Sequence, residues 1–217
     1  DATLARSAAA SPFPVSVIPN PVPFWCEAAG GDLPRPAPDA PQILFVGHLG
    51  YPPNKQAVRR LVRSILPEIA RRIPDAQLTV AGRSPNARLT ALVEASPHAR
   101  IVADPDDLAP LYRAAGMVLL PITEGGGSRI KVLEALAVGC PVVATAKAVE
   151  GLDLEPDRHY LAAETPRAFA AAAERLVREP ELGERLREEG RAFVLAAHGP
   201  DAIAGNVRAA LAALAHS

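Results

Sequence analysis

The chain has 217 residues, of which 49% are apolar and 4% aromatic, and its formal net charge is −1. That supplies a sizeable core, while the near-neutral charge excludes a general nucleic-acid footprint and the scarcity of rings excludes a base-stacking platform for single strands. Cys26 and Cys140 lie far apart and the five histidines are scattered, so no metal spacing is read and reduced thiols in a cytosolic compartment are expected.

Residues 1–41 are rich in proline and alanine, and "PVSVIPNPVPF" offers at most one short strand, Val15 to Ile18. An extended linker is expected there. The chain opens at Asp1 rather than methionine and is read as a piece of something longer. No apolar run approaches the roughly 18 residues of a membrane span. The texture changes at "QILFVG" (42–47), an apolar β-rich run ended by glycine. A helix follows in which Val58, Leu61, Val62, Ile65, Leu66 and Ile69 share one face. "QLTVAG" (77–82) is the second strand, with a short helix around 86–95 after it. "RIVA" (100–103) is the third, and "DPDDLAPLYRAA" predicts a short helix capped by Asp106. "MVLLP" (117–121), "PVVAT" (141–145) and "HYLA" (159–162) complete the strands. Thr165-Pro166 and Pro180 each start a helix, and a last helix covers about 201–215.

Short apolar strands alternating with amphipathic helices predict an α/β domain, a doubly wound Rossmann-like parallel sheet covered on both faces. Its ligand crevice lies at the carboxyl ends of the strands. Three glycine-marked strand ends, at Gly47, Gly82 and 125–127, open onto that crevice. Tight turns explain any one of them; a nucleotide or phosphate site explains all three.

The stretch "TEGGGSRIKVLEALAVG" (123–139) places three glycines in front of a helical run. Glycine weakens a helix by about 1 kcal/mol relative to alanine. Its absent Cβ, however, lets a loop bring backbone N–H groups against a ligand at the positive end of the macrodipole. Ser128 is positioned to cap the helix, and Arg129 and Lys131 add charge that the dipole disfavours but a phosphate rewards. The alternative is a flexible connection with two solvated basic residues.

Taken in order, "VIPNPVP", "ILFVGHLGYPPNK", "LTVAG", "VLLPITEGGGSRIKVLEALAVGCPVVAT" and "EGLDLE" resemble glycosyltransferase family 4, over about residues 15–195 and most specifically over 117–151. The glycine loop is similar to that of exopolysaccharide-type sugar transferases. The resemblance implies the GT-B fold, two Rossmann-like domains facing across a cleft, with this chain as the C-terminal, donor-binding half. The expected divisions are an interdomain linker (1–41), a nucleotide-sugar-binding domain (42–196) and a C-terminal helix (197–217).

The resemblance also implies roles. Glu134 would accept hydrogen bonds from the ribose hydroxyls, and Gly125, Gly126, Gly127 and Ser128 would face the diphosphate with Arg129 and Lys131. The first strand–helix loop would contribute Gly47, His48 and Lys55; Gly82 ends the second strand; and Val102, Ala103 and Asp104 form the edge that reads the base. Many relatives carry a second glutamate near the donor sugar. Counted back from Glu134 that position is Gly126, so Glu124, two residues earlier, takes the role only through an insertion in the loop.

For the intact enzyme the resemblance implies retaining transfer of a hexose from a nucleotide-diphosphate sugar to a glycan or lipid-linked acceptor. No cofactor or metal is expected, and no Asp-x-Asp motif that would suggest a metal-held diphosphate is read. The acceptor-side groups would lie on a missing N-terminal domain, leaving this piece inactive alone. A cytoplasmic location is implied, with peripheral association at the inner face of the membrane. Two other classes stay open: a UDP-sugar 2-epimerase-like GT-B enzyme, for which the Asp-Ser-Gly-Gly signature is absent, and a non-catalytic nucleotide-binding module.

Overall fold

A computed structural model describes residues 17–29, 41–126 and 129–215. The sheet is six-stranded and parallel, in the order β3-β2-β1-β4-β5-β6. Its strands are β1 (Gln42–Val46), β2 (Gln77–Gly82), β3 (Ala99–Ala103), β4 (Met117–Leu120), β5 (Val142–Ala144) and β6 (Leu161–Ala162). Every side chain of β4 and β5 is buried, as expected for strands covered on both faces. β1 pairs with β2 from Gln42↔Gln77 to Val46↔Ala81, and with β4 at Ile43↔Met117 and Leu44↔Val118. Strand order therefore reverses between β1 and β4, which opens a crevice outside their carboxyl ends.

The helices start where the sequence provides caps. α2 begins at Pro52, α3 (Ala87–Glu94) under Asn86, α7 (Pro166–Arg178) under Thr165, and α8 (Pro180–His198) and α9 (Pro200–Ala215) at prolines. Asn86 and Thr165 each accept a backbone N–H, from Leu89 and Ala168. α2 runs to Ala70 through a π-helical turn at Leu61–Ile65. Pro67 has no N–H to close the regular ladder, and the wider turn absorbs that loss. All six residues of its predicted apolar face are buried.

Several expectations need correction. The helix after β3 is α4 (Ala109–Ala114), and its end is satisfied by Asp107, whose Oδ1 accepts from Ala109 N at 2.8 Å; Asp106 has no such bond. α5 covers Ile130–Ala137, preceded by Arg129 with no side-chain cap. Ser128, assigned that role from the sequence, lies outside the described residues, as does Gly127. A short helix, α6 (Ala146–Val149), was not anticipated; Thr145 caps it. Val17 and Ile18 form no strand, and Val15 lies outside the described residues. The stretch expected to be extended contains α1 (Phe24–Ala29), and Val22 just before that helix and Cys26 within it are buried. The expected division at 196/197 falls inside α8.

α8 holds α5 in place. Gly190 lets the helices approach, since a Cβ there would lie 2.9 Å from Leu136 Cδ2, and Arg191 Nε donates to Ala137 O at 2.9 Å. The helix carrying Glu134 thus has its C-terminal end pinned while its N-terminal end faces the crevice.

Candidate functional site

The crevice is a cleft of about 690 Å³, a size suited to a small molecule. Its floor comes from the ends of β1 and β2. Gly47 N donates to Ala81 O at 3.1 Å, and a Cβ on Gly82 would lie 1.7 Å from Gly47 O. The two loops are in backbone contact that only glycine permits. Gly47 in turn makes room for Asn54, whose Nδ2 would lie 2.9 Å from an added Cβ.

Asn54 is buried, and both ends of its amide are used. Nδ2 donates to His48 O at 2.9 Å, and Oδ1 accepts from Lys131 Nζ at 3.1 Å. One turn along α5, Glu134 Oε2 accepts from the buried Tyr112 hydroxyl at 3.1 Å. Burial raises the Glu134 carboxyl above its ordinary value, against the opposing effects of the Tyr112 hydrogen bond and the Lys131 charge. Burial likewise lowers the Lys131 ammonium, with Glu134 opposing and Arg129 adding to the shift. Two ionisable groups are thus held partly dry and pre-oriented, with their charged forms under-compensated by the protein. A ligand with an anion for one and hydroxyl donors for the other would complete them.

The glycine loop forms the opposite wall. Gly125 has φ +98°, and a Cβ there would lie 2.9 Å from Pro53 Cγ. At Gly126 an added Cβ would meet nothing within 4 Å among the described residues. Arg129 lines the cleft but is engaged: its guanidinium contacts Glu150 Oε2 at 2.7 Å, and its Nε donates to Glu150 O at 3.2 Å. The Glu150 carboxyl is held below its usual value, first by the Lys147 hydrogen bond and also by Arg129.

Of the residues expected at the site, Gly47, His48, Gly82, Glu124, Gly125, Gly126, Arg129, Lys131 and Glu134 line this one cleft. Lys55 lines a smaller neighbouring cavity that shares Glu124. Val102, Ala103 and Asp104 stand outside the lining, and Asp104 Oδ1 accepts from Ser84 N at 2.9 Å. The loop beyond them, Pro105 to Leu108, reaches the cleft instead. Asp104-Pro105-Asp106 does have the Asp-x-Asp spacing associated with metal-held diphosphates, which corrects the reading that the sequence lacks it; only Asp106 of the two lines the cleft. Among the described residues no three His, Cys, Asp or Glu side chains gather as a metal site. Asn54, Tyr112 and Trp25 went unread in the sequence. For Asn54 the available signal was a polar residue in phase with the apolar face of α2.

Residues 40–179 match the family described as Glycosyl transferases group 1. The chain belongs to the group 1 glycosyl transferases. A curated relative of this group 1 chain, an uncharacterized 44.6 kDa protein in the cps region of Klebsiella pneumoniae, is 28% identical over 116 residues, 50% of the chain and 30% of the relative. Sucrose-phosphate synthase from Thermosynechococcus elongatus superposes over 100% of the chain and 56% of its own, with a TM-score of 0.70 and 25% identity. HepE from Anabaena, solved in complex with UDP, superposes over 81% of the chain and 49% of its own at a TM-score of 0.66 and 12% identity, a likeness of fold. The chain thus spans 30% of the curated relative and about half of these two solved proteins. The fold is that of GT-B carboxyl-terminal domains. No helix among the described residues is long and apolar enough to cross a membrane.

Proposed function

We propose that this chain is the donor-binding domain of a retaining, family 4 glycosyltransferase of the exopolysaccharide type, and that its cleft holds the nucleotide-diphosphate end of a sugar donor. The observation that carries this reading is the placement of Lys131 and Glu134 one turn apart at the strand-order reversal, beside a loop whose Gly126 has open space over its Cα. Lys131 and the loop amides take the diphosphate, and Glu134 takes the two ribose hydroxyls. Glu124, exposed at the mouth, is the carboxylate available to the sugar.

In the reaction the bond between the anomeric carbon and the diphosphate oxygen breaks, the oxygen of a glycan or lipid-linked acceptor hydroxyl bonds to that carbon with retention of configuration, and the hydroxyl proton passes to the departing diphosphate. Charge accumulates on the departing diphosphate. Donors already fixed in place stabilise that charge without reorganising during the step. Lys131 meets this requirement, because Asn54 holds its ammonium before any ligand arrives. No divalent metal is required in this scheme. The acceptor groups belong to a second domain, so the chain by itself binds donor without turnover, and the whole enzyme works at the cytoplasmic membrane face.

Calorimetric titration of the chain with UDP, GDP and ADP in EDTA tests the reading. UDP is the natural first choice, since HepE binds it on the same fold. Saturable heat with one of the three supports the proposal; no heat with any of them at millimolar concentration contradicts it.

A further inference from the structure

The cleft has a direction. A chain of contacts runs from His48 O through Asn54 to Lys131, and Glu134 stands one turn further along α5. From Glu134 the contacts continue to Tyr112 at 3.1 Å, and from the Tyr112 ring to that of Trp25, with centroids 5.6 Å apart and planes inclined at 37°. Cation and loop amides stand at one end, a carboxylate in the middle and an indole at the other. A nucleoside diphosphate has the same order: diphosphate, ribose, base.

Trp25 is not part of the sheet or its covering helices. It sits on α1, in the segment that precedes β1, and that segment is tied down far from its own place in sequence. Val22 N donates to His198 O at 2.9 Å, and Asn20 O accepts from His198 Nδ1 at 2.9 Å, so the end of α8 grips it from both sides. Val22 and Cys26 are buried on either side of Trp25 in sequence. Trp25 itself is only partly buried and lines the cleft together with Pro105 to Leu108, the loop leading into the helix that carries Tyr112.

We infer that Trp25 is the wall against which the base of the nucleotide packs, so that the segment before the sheet completes the donor site. The inference rests on the donor-binding reading above. An indole face accepts any base, because every base has a π-face. It therefore supplies affinity for the nucleoside end, and selection among bases falls to the polar groups of the 105–108 loop.

Trp25 is the chain's one tryptophan, so its fluorescence reports this wall alone. Titrations of the parent chain with UDP, GDP, ADP and inorganic pyrophosphate, followed by calorimetry and by emission corrected for nucleotide absorbance, separate the outcomes. The nucleotide that binds changes the emission with the calorimetric midpoint, whereas pyrophosphate gives heat and leaves the emission unchanged. Trp25→Leu weakens that nucleotide by about five- to a hundredfold. Trp25→Phe, which keeps a ring, loses less, and both variants bind pyrophosphate like the parent. A nucleotide that binds by calorimetry without altering the emission, or that binds Trp25→Leu like the parent, overturns the inference and leaves the donor-binding reading standing. Absence of any nucleotide binding to the parent overturns both.

Discussion

Gly82 and Gly126 lie in the same cleft and serve opposite purposes. A Cβ on Gly82 would lie 1.7 Å from Gly47 O, inside the contact that joins the ends of β1 and β2. One on Gly126 would meet nothing within 4 Å among the described residues. The first glycine is demanded by the protein's own backbone and would be needed with no ligand at all. The second has no steric reason within the described protein. A glycine-marked strand end is therefore not in itself a binding signal. Nor is open space alone, since Gly151, Gly183 and Gly205 have it too; at Gly126 it gains meaning from its place beside Lys131 and Glu134 in the cleft.

The largest expected effect comes from closing the tight contact. Gly82→Ala forces β1 and β2 apart and costs about 3 kcal/mol or more, since backbone cannot move aside as a side chain can. Thermal melting should fall by roughly 6–12 °C for a domain of this size. A melting point equal to the parent's would show that the two loops are free to separate and would erase the contrast with Gly126.

Glu134→Ala comes next. Losing a hydrogen bond to a charged group costs about 1.5–3 kcal/mol, roughly ten- to a hundredfold in affinity, and the loss should fall on nucleoside diphosphates and spare pyrophosphate. Equal losses for both ligands would assign Glu134 to the diphosphate end and reverse the polarity of the cleft.

The smallest effect is the pH dependence. Glu134 accepts from two hydroxyls most strongly when ionised, and burial raises its carboxyl. Nucleotide affinity should therefore fall as pH drops through that raised value, at less acidic pH than for an ordinary carboxylate. The decline attributable to Glu134 is about fivefold. Titration of the nucleotide's own phosphates is common to every variant, so the difference between parent and Glu134→Gln isolates this group. Parallel pH profiles for the two would remove Glu134 from the ribose.

The strands were legible because a parallel strand buried on both faces reads as a short apolar run, and those at Gly47 and Gly82 end in glycine. The helix starts at Thr165, Pro180 and the face of α2 were legible for similarly local reasons. What the sequence concealed is tertiary. The first loop offers Lys55 as its basic residue in sequence. Asn54, one step back and rotated about 100° around the helix, is the one turned inward to hold Lys131. Tyr112 and Trp25 read as ordinary aromatic residues, since nothing local says that one reaches Glu134 or that the other packs against Tyr112. Arg129 resembles a free cation in sequence, yet Glu150, distant along the chain, occupies it.

The central claim is that the open glycine loop exists so that a diphosphate can reach the backbone. Gly126→Val tests it most directly, because its side chain meets open space among the described residues and Gly126, unlike Gly125, does not have a positive φ. Pyrophosphate titration by calorimetry, with melting measured on the same samples, is the decisive measurement. The account predicts a melting point within about 2–4 °C of the parent, the size of a 1 kcal/mol change, together with at least about a tenfold loss of pyrophosphate affinity. A variant that melts like the parent and binds pyrophosphate like the parent would mean that the loop is only a connection.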